Sequence, residues 1–187
     1  MRVATGVDRG PVIAVMGVTG CGKSTLGRAL AQALHCPFVE GDTLHPPANI
    51  AKMTAGIPLD DADRIPILEN VARAIASRSG PLVISCSALK RAYRDQLRRA
   101  DPQLLFVHPV LARAQLQERL QQRGNHFMPA SLLDSQLQDL ESPGPDERVI
   151  EIDGRAPLDR QVALALAAQT TAERYDAPAG YNIEKGT

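Results

Sequence analysis

Gly17-Val18-Thr19-Gly20-Cys21-Gly22-Lys23-Ser24 carries the spacing G-x-x-x-x-G-K-S, and phosphate chemistry gives each residue type in it a task. Glycines let the backbone curl until successive N–H groups point inward at phosphate oxygens. A helix opening near Gly22 adds unpaired N–H groups and the positive end of its dipole. Lys23 is placed to reach the β- and γ-phosphates. The Ser24 hydroxyl is placed to ligate a Mg²⁺ ion carried by the nucleotide, and Thr25 completes the contacting stretch. Residues Gly17 to Thr25 therefore read as a cradle for a nucleoside triphosphate. The cradle does not name a second substrate, because kinases, GTPases and motor ATPases share it.

An acceptor for the γ-phosphoryl group needs a carboxylate to position it or take its proton. It also needs cations for the developing charge and a cover against water. In open α/β sheets such groups sit past the carboxyl ends of strands. Glu40-Gly41-Asp42-Thr43-Leu44-His45-Pro46 offers Asp42 and His45. Asp42 can accept a hydroxyl proton, hold Mg²⁺ through water, or cap a turn. His45 can bind substrate or cap a turn. Asp60-Asp61-Ala62-Asp63 suits the positive end of a helix, and the Arg64 beside it is harder to assign to that role. Ser87 reads as a helix N-cap. Lys90 and Arg94, four residues apart, share a helix face that can meet an anion or simply be solvated. Arg119 and Arg123 repeat the spacing and lead into Gly124-Asn125-His126. That is the pattern of a mobile lid over phosphates, or of a charged helix with a glycine cap.

These groups need a scaffold, and the apolar periodicity supplies one. Pro11–Met16, Pro37–Val39, Pro81–Cys86, Leu104–Val107 and Val149–Ile152 are short apolar runs, the pattern of strands buried on both faces. Helical spacing fills the intervals. Leu26 to Leu34 forms one helix, and Ala48–Met53, Asp61–Ser77, Ala88–Arg99, Leu111–Gln122, Pro129–Leu140 and Leu158–Ala168 form the others. Strands alternating with helices predict an α/β domain with a five-stranded parallel sheet in a three-layer sandwich. Residues 1–10 read as a flexible leader and 11–171 as the domain. Residues 172–187 read as a tail expected to be disordered or loosely attached.

The chain has 187 residues, the size of one domain. Lys+Arg and Asp+Glu are each 21, which argues against general nucleic-acid or membrane binding. Three Phe, three Tyr and no Trp leave few platforms for stacking bases. Cys21, Cys36 and Cys86 are odd in number and form no C-x-x-C pair, as expected of a reducing compartment. No apolar run is long enough to span a bilayer, and the simplest expected location is the cytoplasm. The N/TKxD-type base-reading motif of GTPases is missing. The third strand ends in Ser85-Cys86-Ser87 rather than in the acidic residues usual in motor ATPases. Both absences favour a small-molecule kinase.

Five segments, MGVTGCGKST (16–25), GDTLHPPANIAKM (41–53), GIPLDDADRIPIL (56–68), CSALKRAYRDQLR (86–98) and GNHFMPASLLDSQLQDLE (124–141), carry a resemblance to the gluconokinase family over roughly residues 12–170. The resemblance implies ATP and Mg²⁺, D-gluconate as acceptor at its 6-hydroxyl, strand order 2-3-1-4-5, a helical lid at about 119–130 and a homodimer. It implies Lys23, Asp42, Arg119 and Arg123 as catalytic groups, with Asp42 as the base. His45, Arg64, Lys90 and Arg94 would hold the polyol and its carboxylate, and His126 would belong to the lid with Arg119 and Arg123. Two positions depart from the pattern. Ile67 stands where many relatives have Trp, and Pro47-Ala48 lacks a basic residue seen in some. Other readings are a kinase of another small metabolite, such as shikimate, and a regulator that binds ATP without catalysis.

Overall fold

The computed structural model describes residues 9–122 and 130–176. Five parallel strands, β1 (Val12–Val15), β2 (Phe38–Val39), β3 (Leu82–Ser85), β4 (Leu105–Val110) and β5 (Val149–Asp153), form one sheet in the order β2-β3-β1-β4-β5, the order the resemblance implies. Register is fixed at the centre by Val12 opposite Leu82 and Val15 opposite Ser85, with Ile13 opposite Leu105 on the other side. The helices are α1 (Lys23–Ala33), α2 (Pro47–Thr54), α3 (Asp61–Ala76), α4 (Arg91–Ala100), α5 (Arg113–Gln122), α6 (Ala130–Asp139) and α7 (Leu158–Asp176), with a short 3₁₀ turn at Gly41–Leu44.

The pleat sends alternate side chains to opposite layers. Val12, Ala14 and Met16 join Ile67, Val71, Ile75, Tyr93 and Leu97 under α3 and α4. Ile13 and Val15 join Leu26, Leu30 and Ala165 under α1 and α7. A third cluster, Val18, Cys21, Leu89, Leu116 and Leu133, seats the phosphate loop on its surroundings. Strands covered on both faces have no polar side to show. This is why they read as continuous apolar runs.

Several boundaries differ from expectation, and three of the differences bear on the site and the chain's end. β4 runs on through His108 to Val110, because it pairs with β5 as far as Val110 opposite Asp153. α4 starts at Arg91, not Ala88. Ala88 takes a left-handed conformation (φ 42°) that a helix cannot include, so Ser87 caps nothing and Lys90 stands at the N-cap with extended backbone. α7 continues past Thr171 to Asp176, where a tail was expected; residues 1–8 and 177–187 lie outside the described residues. α3 starts as its acidic residues suggest. Asp60 accepts from the Asp63 amide at 2.8 Å and Asp63 accepts from the Asp60 amide at 3.1 Å, a reciprocal cap.

Candidate active site

The phosphate loop leaves the carboxyl end of β1 and curls back before α1 begins at Lys23. Gly17, Gly20 and Gly22 hold φ values of 124°, 80° and 103°, which side chains other than hydrogen resist. The loop mouth is bound to both neighbours of β1. The Met16 amide donates to the Val107 carbonyl at 2.8 Å and the Gly17 amide to the Ser87 carbonyl at 3.1 Å. Lys23 Nζ donates to the Val18 carbonyl at 3.0 Å, which holds it across the loop it is meant to serve. Ser24 and Thr25 occupy the first turn of α1.

Two cavities border the first turns of α3. A small one is lined by Asp42, His45, Arg64, Ile67, Ser87 and Tyr93, among others. It draws on the ends of β2 and β3 and on α3, so the sheet brings Asp42, His45 and Arg64 together beside the strand end that bonds Gly17. Ser87 joins the two halves: it lines this cavity, and its carbonyl accepts from the Gly17 amide of the phosphate loop. Asp42 is exposed. Arg64 is 8% exposed, and its Nε has no hydrogen-bond partner among the described residues. A buried guanidinium N–H without a partner is costly and suits a polar ligand. Burial lowers the pKa of His45 below its ordinary 6.5, with Asp42 opposing and Arg64 adding to the effect. A neutral ring can both donate and accept.

The neighbouring cavity, about 570 Å³, is lined by Asp60, Asp61, Lys90, Ser135 and Asp139 among others. Lys90 pairs with Asp61 at 2.6 Å and Asp139 at 3.7 Å, and Arg64 pairs with Asp139 at 3.6 Å. The hydrogen bonds that Asp61 accepts from Lys90 and from Tyr93 lower its pKa. Burial, with the Asp61 hydrogen bond, pushes the Tyr93 phenol up to about 12. Both candidate cations thus already hold carboxylates of the chain itself.

On the far side of the loop a cavity of about 410 Å³ is lined by Gly20, Gly22, Thr25, Arg119, Gly154 and Gln161, among others. Arg119 donates to the Gly154 carbonyl at 2.8 Å and the Cys21 carbonyl at 3.4 Å. It therefore lies against the loop from α5. Arg123 and His126 lie outside the described residues.

Arg94 is the correction. The expectation placed it beside Lys90 on an anion-binding face, yet its side chain is fully buried. Nε and Nη2 donate to Glu147 at 2.6 and 3.0 Å, and Nη1 to the carbonyls of Leu89 and Ala88 at 2.9 and 3.3 Å. With its donors spent on the β3–α4 loop and Glu147, it braces that loop and does not line the cavity.

Other residues at the site went unnoticed in the sequence. Gln136 of α6 accepts from the Thr19 amide at 2.6 Å, a side-chain oxygen on a phosphate-loop N–H. His108 packs against Gly17, where an added Cβ would lie 2.9 Å from the ring. Its Nδ1 meets Glu151 at 3.2 Å. A lone histidine in an apolar strand was the available signal for His108. Nothing in the spacing marks Gln136.

A family model described as an AAA domain matches residues 12–143. Together with the sheet order and the loop it defines a P-loop nucleotide-binding transferase of the kinase type. "Gluconokinase" of Gluconobacter oxydans (strain 621H) is 51% identical over 145 residues, 76% of this chain and 82% of that protein. The chain belongs to the gluconokinase family. "Thermoresistant gluconokinase" of Escherichia coli (strain K12) is 40% identical over 83% of this chain and 91% of its own. The crystal structure of a gluconokinase from Sinorhizobium meliloti 1021 superposes with a TM-score of 0.83 at 48% identity, covering 91% of this chain and 98% of that one. Shikimate kinase from Aquifex aeolicus vf5, at 17% identity and a TM-score of 0.51, shares the fold alone.

Proposed function

We propose that the chain is an ATP-dependent kinase that transfers the γ-phosphoryl group to the 6-hydroxyl of D-gluconate. The carrying observation is that Ser87 lines the cavity of Asp42, His45 and Arg64 and also accepts from the Gly17 amide of the phosphate loop, which sets the cradle and a polar acceptor cavity side by side. Family membership supplies the acceptor's name.

ATP and its Mg²⁺ are substrates in this reading, and the residues present suit them. The glycine conformations let the loop curl back before α1, Lys23 needs only to leave the Val18 carbonyl to meet phosphate, and Ser24 lies in the first turn of α1, where Mg²⁺ would be ligated. Mg²⁺ neutralises charge on the β- and γ-oxygens. Asp42 takes the acceptor proton as the oxygen attacks, or holds Mg²⁺ through water. His45, Arg64 and Lys90 hold the hydroxyls and carboxylate of gluconate. Arg119 stabilises charge at the transferring group, with Arg123 and His126 as its partners on the lid. Positioning and electrostatics do most of the work, since this transfer requires little covalent help. Residues 11–171 form the kinase domain, and a homodimer is part of the reading.

A coupled assay of ADP release over a panel of sugar acids and shikimate tests it. Turnover with D-gluconate well above the others is expected. Equal or greater turnover with shikimate would replace the acceptor, and nucleotide binding without acceptor-dependent turnover would make the chain a sensor.

A further inference from the structure

Asp42 rides on the turn Gly41–Leu44, and that turn is tied down at three points. The Ser85 hydroxyl accepts from the Gly41 amide at 3.0 Å and donates to the Glu40 carboxylate. The Glu40 carbonyl accepts from the Thr43 amide at 3.1 Å and the Thr43 hydroxyl at 2.7 Å. The Leu44 carbonyl accepts from Asn70 of α3 at 2.9 Å.

The register makes the first tie possible. Val39 sits opposite Ile84, so the next residues along, Glu40 and Ser85, are neighbours at the two strand ends. Ser85 is 1% exposed, and its hydroxyl uses its donor and one acceptor lone pair in these two bonds. Backbone fit reinforces the tie: a Cβ on Gly41 would lie 1.9 Å from the Ser85 carbonyl oxygen, so the turn touches the strand directly. Glu40 is braced from outside by Arg28 at 3.3 Å. Neither Glu40 nor Ser85 lines the acceptor cavity.

We propose that Ser85 and Glu40 are positioning residues for Asp42: the hydroxyl suspended between the Glu40 carboxylate and the Gly41 amide fixes where the turn leaves the sheet, and so where the Asp42 carboxylate stands relative to the phosphate loop. The proposal rests on the reading of Asp42 as the group that takes the acceptor proton.

The test compares Ser85→Ala, Asp42→Asn and the double variant in the full chain, reading kcat, both KM values and thermal midpoint. Ser85→Ala is expected to lower kcat roughly tenfold or more, the scale on which small misplacements act, with KM for ATP within about twofold. The double variant is expected to be no slower than Asp42→Asn alone, because Ser85 acts through Asp42. Multiplied losses in the double variant, or a folded Ser85→Ala protein with unchanged kcat, overturn the positioning role and leave the Asp42 reading standing. Near-normal kcat in Asp42→Asn overturns both. Should Ser85→Ala fail to fold, Glu40→Ala, which removes the carboxylate that accepts from the Ser85 hydroxyl, is read the same way.

Discussion

At the scale of the residue, the site is defined by which donors and acceptors are already engaged. Lys23 is parked on a carbonyl of its own loop, an easy partner to exchange for phosphate. Lys23→Ala is expected to cut kcat/KM by roughly a thousandfold or more, as loss of a principal charge clamp does; steady-state kinetics reads it. Asp42→Asn keeps the shape and removes the proposed base. A kcat lower by about a hundredfold is expected, whereas a change confined to KM would make it a binding residue. Asp139 is a different case. Its carboxylate pairs with Arg64 and Lys90, the cations proposed to hold the gluconate carboxylate, and like charges compete for such partners. Asp139→Asn is therefore expected to lower KM for gluconate several-fold with KM for ATP unchanged. A raised KM for gluconate would mean that Asp139 holds the cations in place for the substrate. Ile67, where the resemblance leads us to expect Trp in many relatives, lines the small cavity with Asp42 and Arg64, so that difference falls where the acceptor is proposed to lie.

At the scale of the element, α4 shows what spacing can and cannot reveal. Lys90 and Arg94 are four apart, but the rule that such residues share a face holds only inside a helix. Lys90 is the N-cap, with φ −91° and ψ 148°, and it turns to Asp61 while Arg94 turns inward to Glu147. The left-handed Ala88 that delays the helix leaves no mark in composition or periodicity. The consequence is energetic. Breaking one side of a buried ion pair strands the other, at a cost of about 3–5 kcal/mol. Arg94→Met is expected to lower the urea midpoint accordingly, and Arg94→Met with Glu147→Leu to recover much of the loss. An unchanged midpoint in the single variant would show that Glu147 finds another partner.

At the scale of the whole molecule, the central strands β1, β3 and β4 were legible because burial on both faces leaves continuous apolar runs, while the edge strands β2 and β5 are only partly buried; the loop was legible because phosphate chemistry constrains every residue in it. Sheet order came from the resemblance, since no local pattern records which strands pair. Gln136 was not legible as a site residue, because its contact joins segments far apart in the chain, and His108 showed only as a lone histidine in an apolar strand. Such contacts also set how the fold responds to acid. Burial holds His45 and His108 below their ordinary 6.5, so the unfolded chain takes up protons first as pH falls. Their contribution is fully present above about 6.5 and is lost as pH drops through the folded values. Asp61, Asp63, Asp146 and Glu147, held low by hydrogen bonds from Lys90, Lys52, Arg91 and Arg94 respectively, withdraw stability in a separate, more acidic window. Urea titrations across pH are expected to show two declines, with His108→Gln flattening the upper one; a single decline below about pH 4 would remove the histidine contribution.

Cys86 lines the small cavity with Asp42 and Arg64, and burial pushes its thiol up to about 11. At pH 7 roughly one such thiol in ten thousand is ionised, and the thiolate is the form that oxidants and alkylating agents attack. A sulfur lining the small cavity beside the phosphate loop is thereby kept chemically quiet, and peroxide that would modify an exposed, acidic cysteine has little to react with at this one.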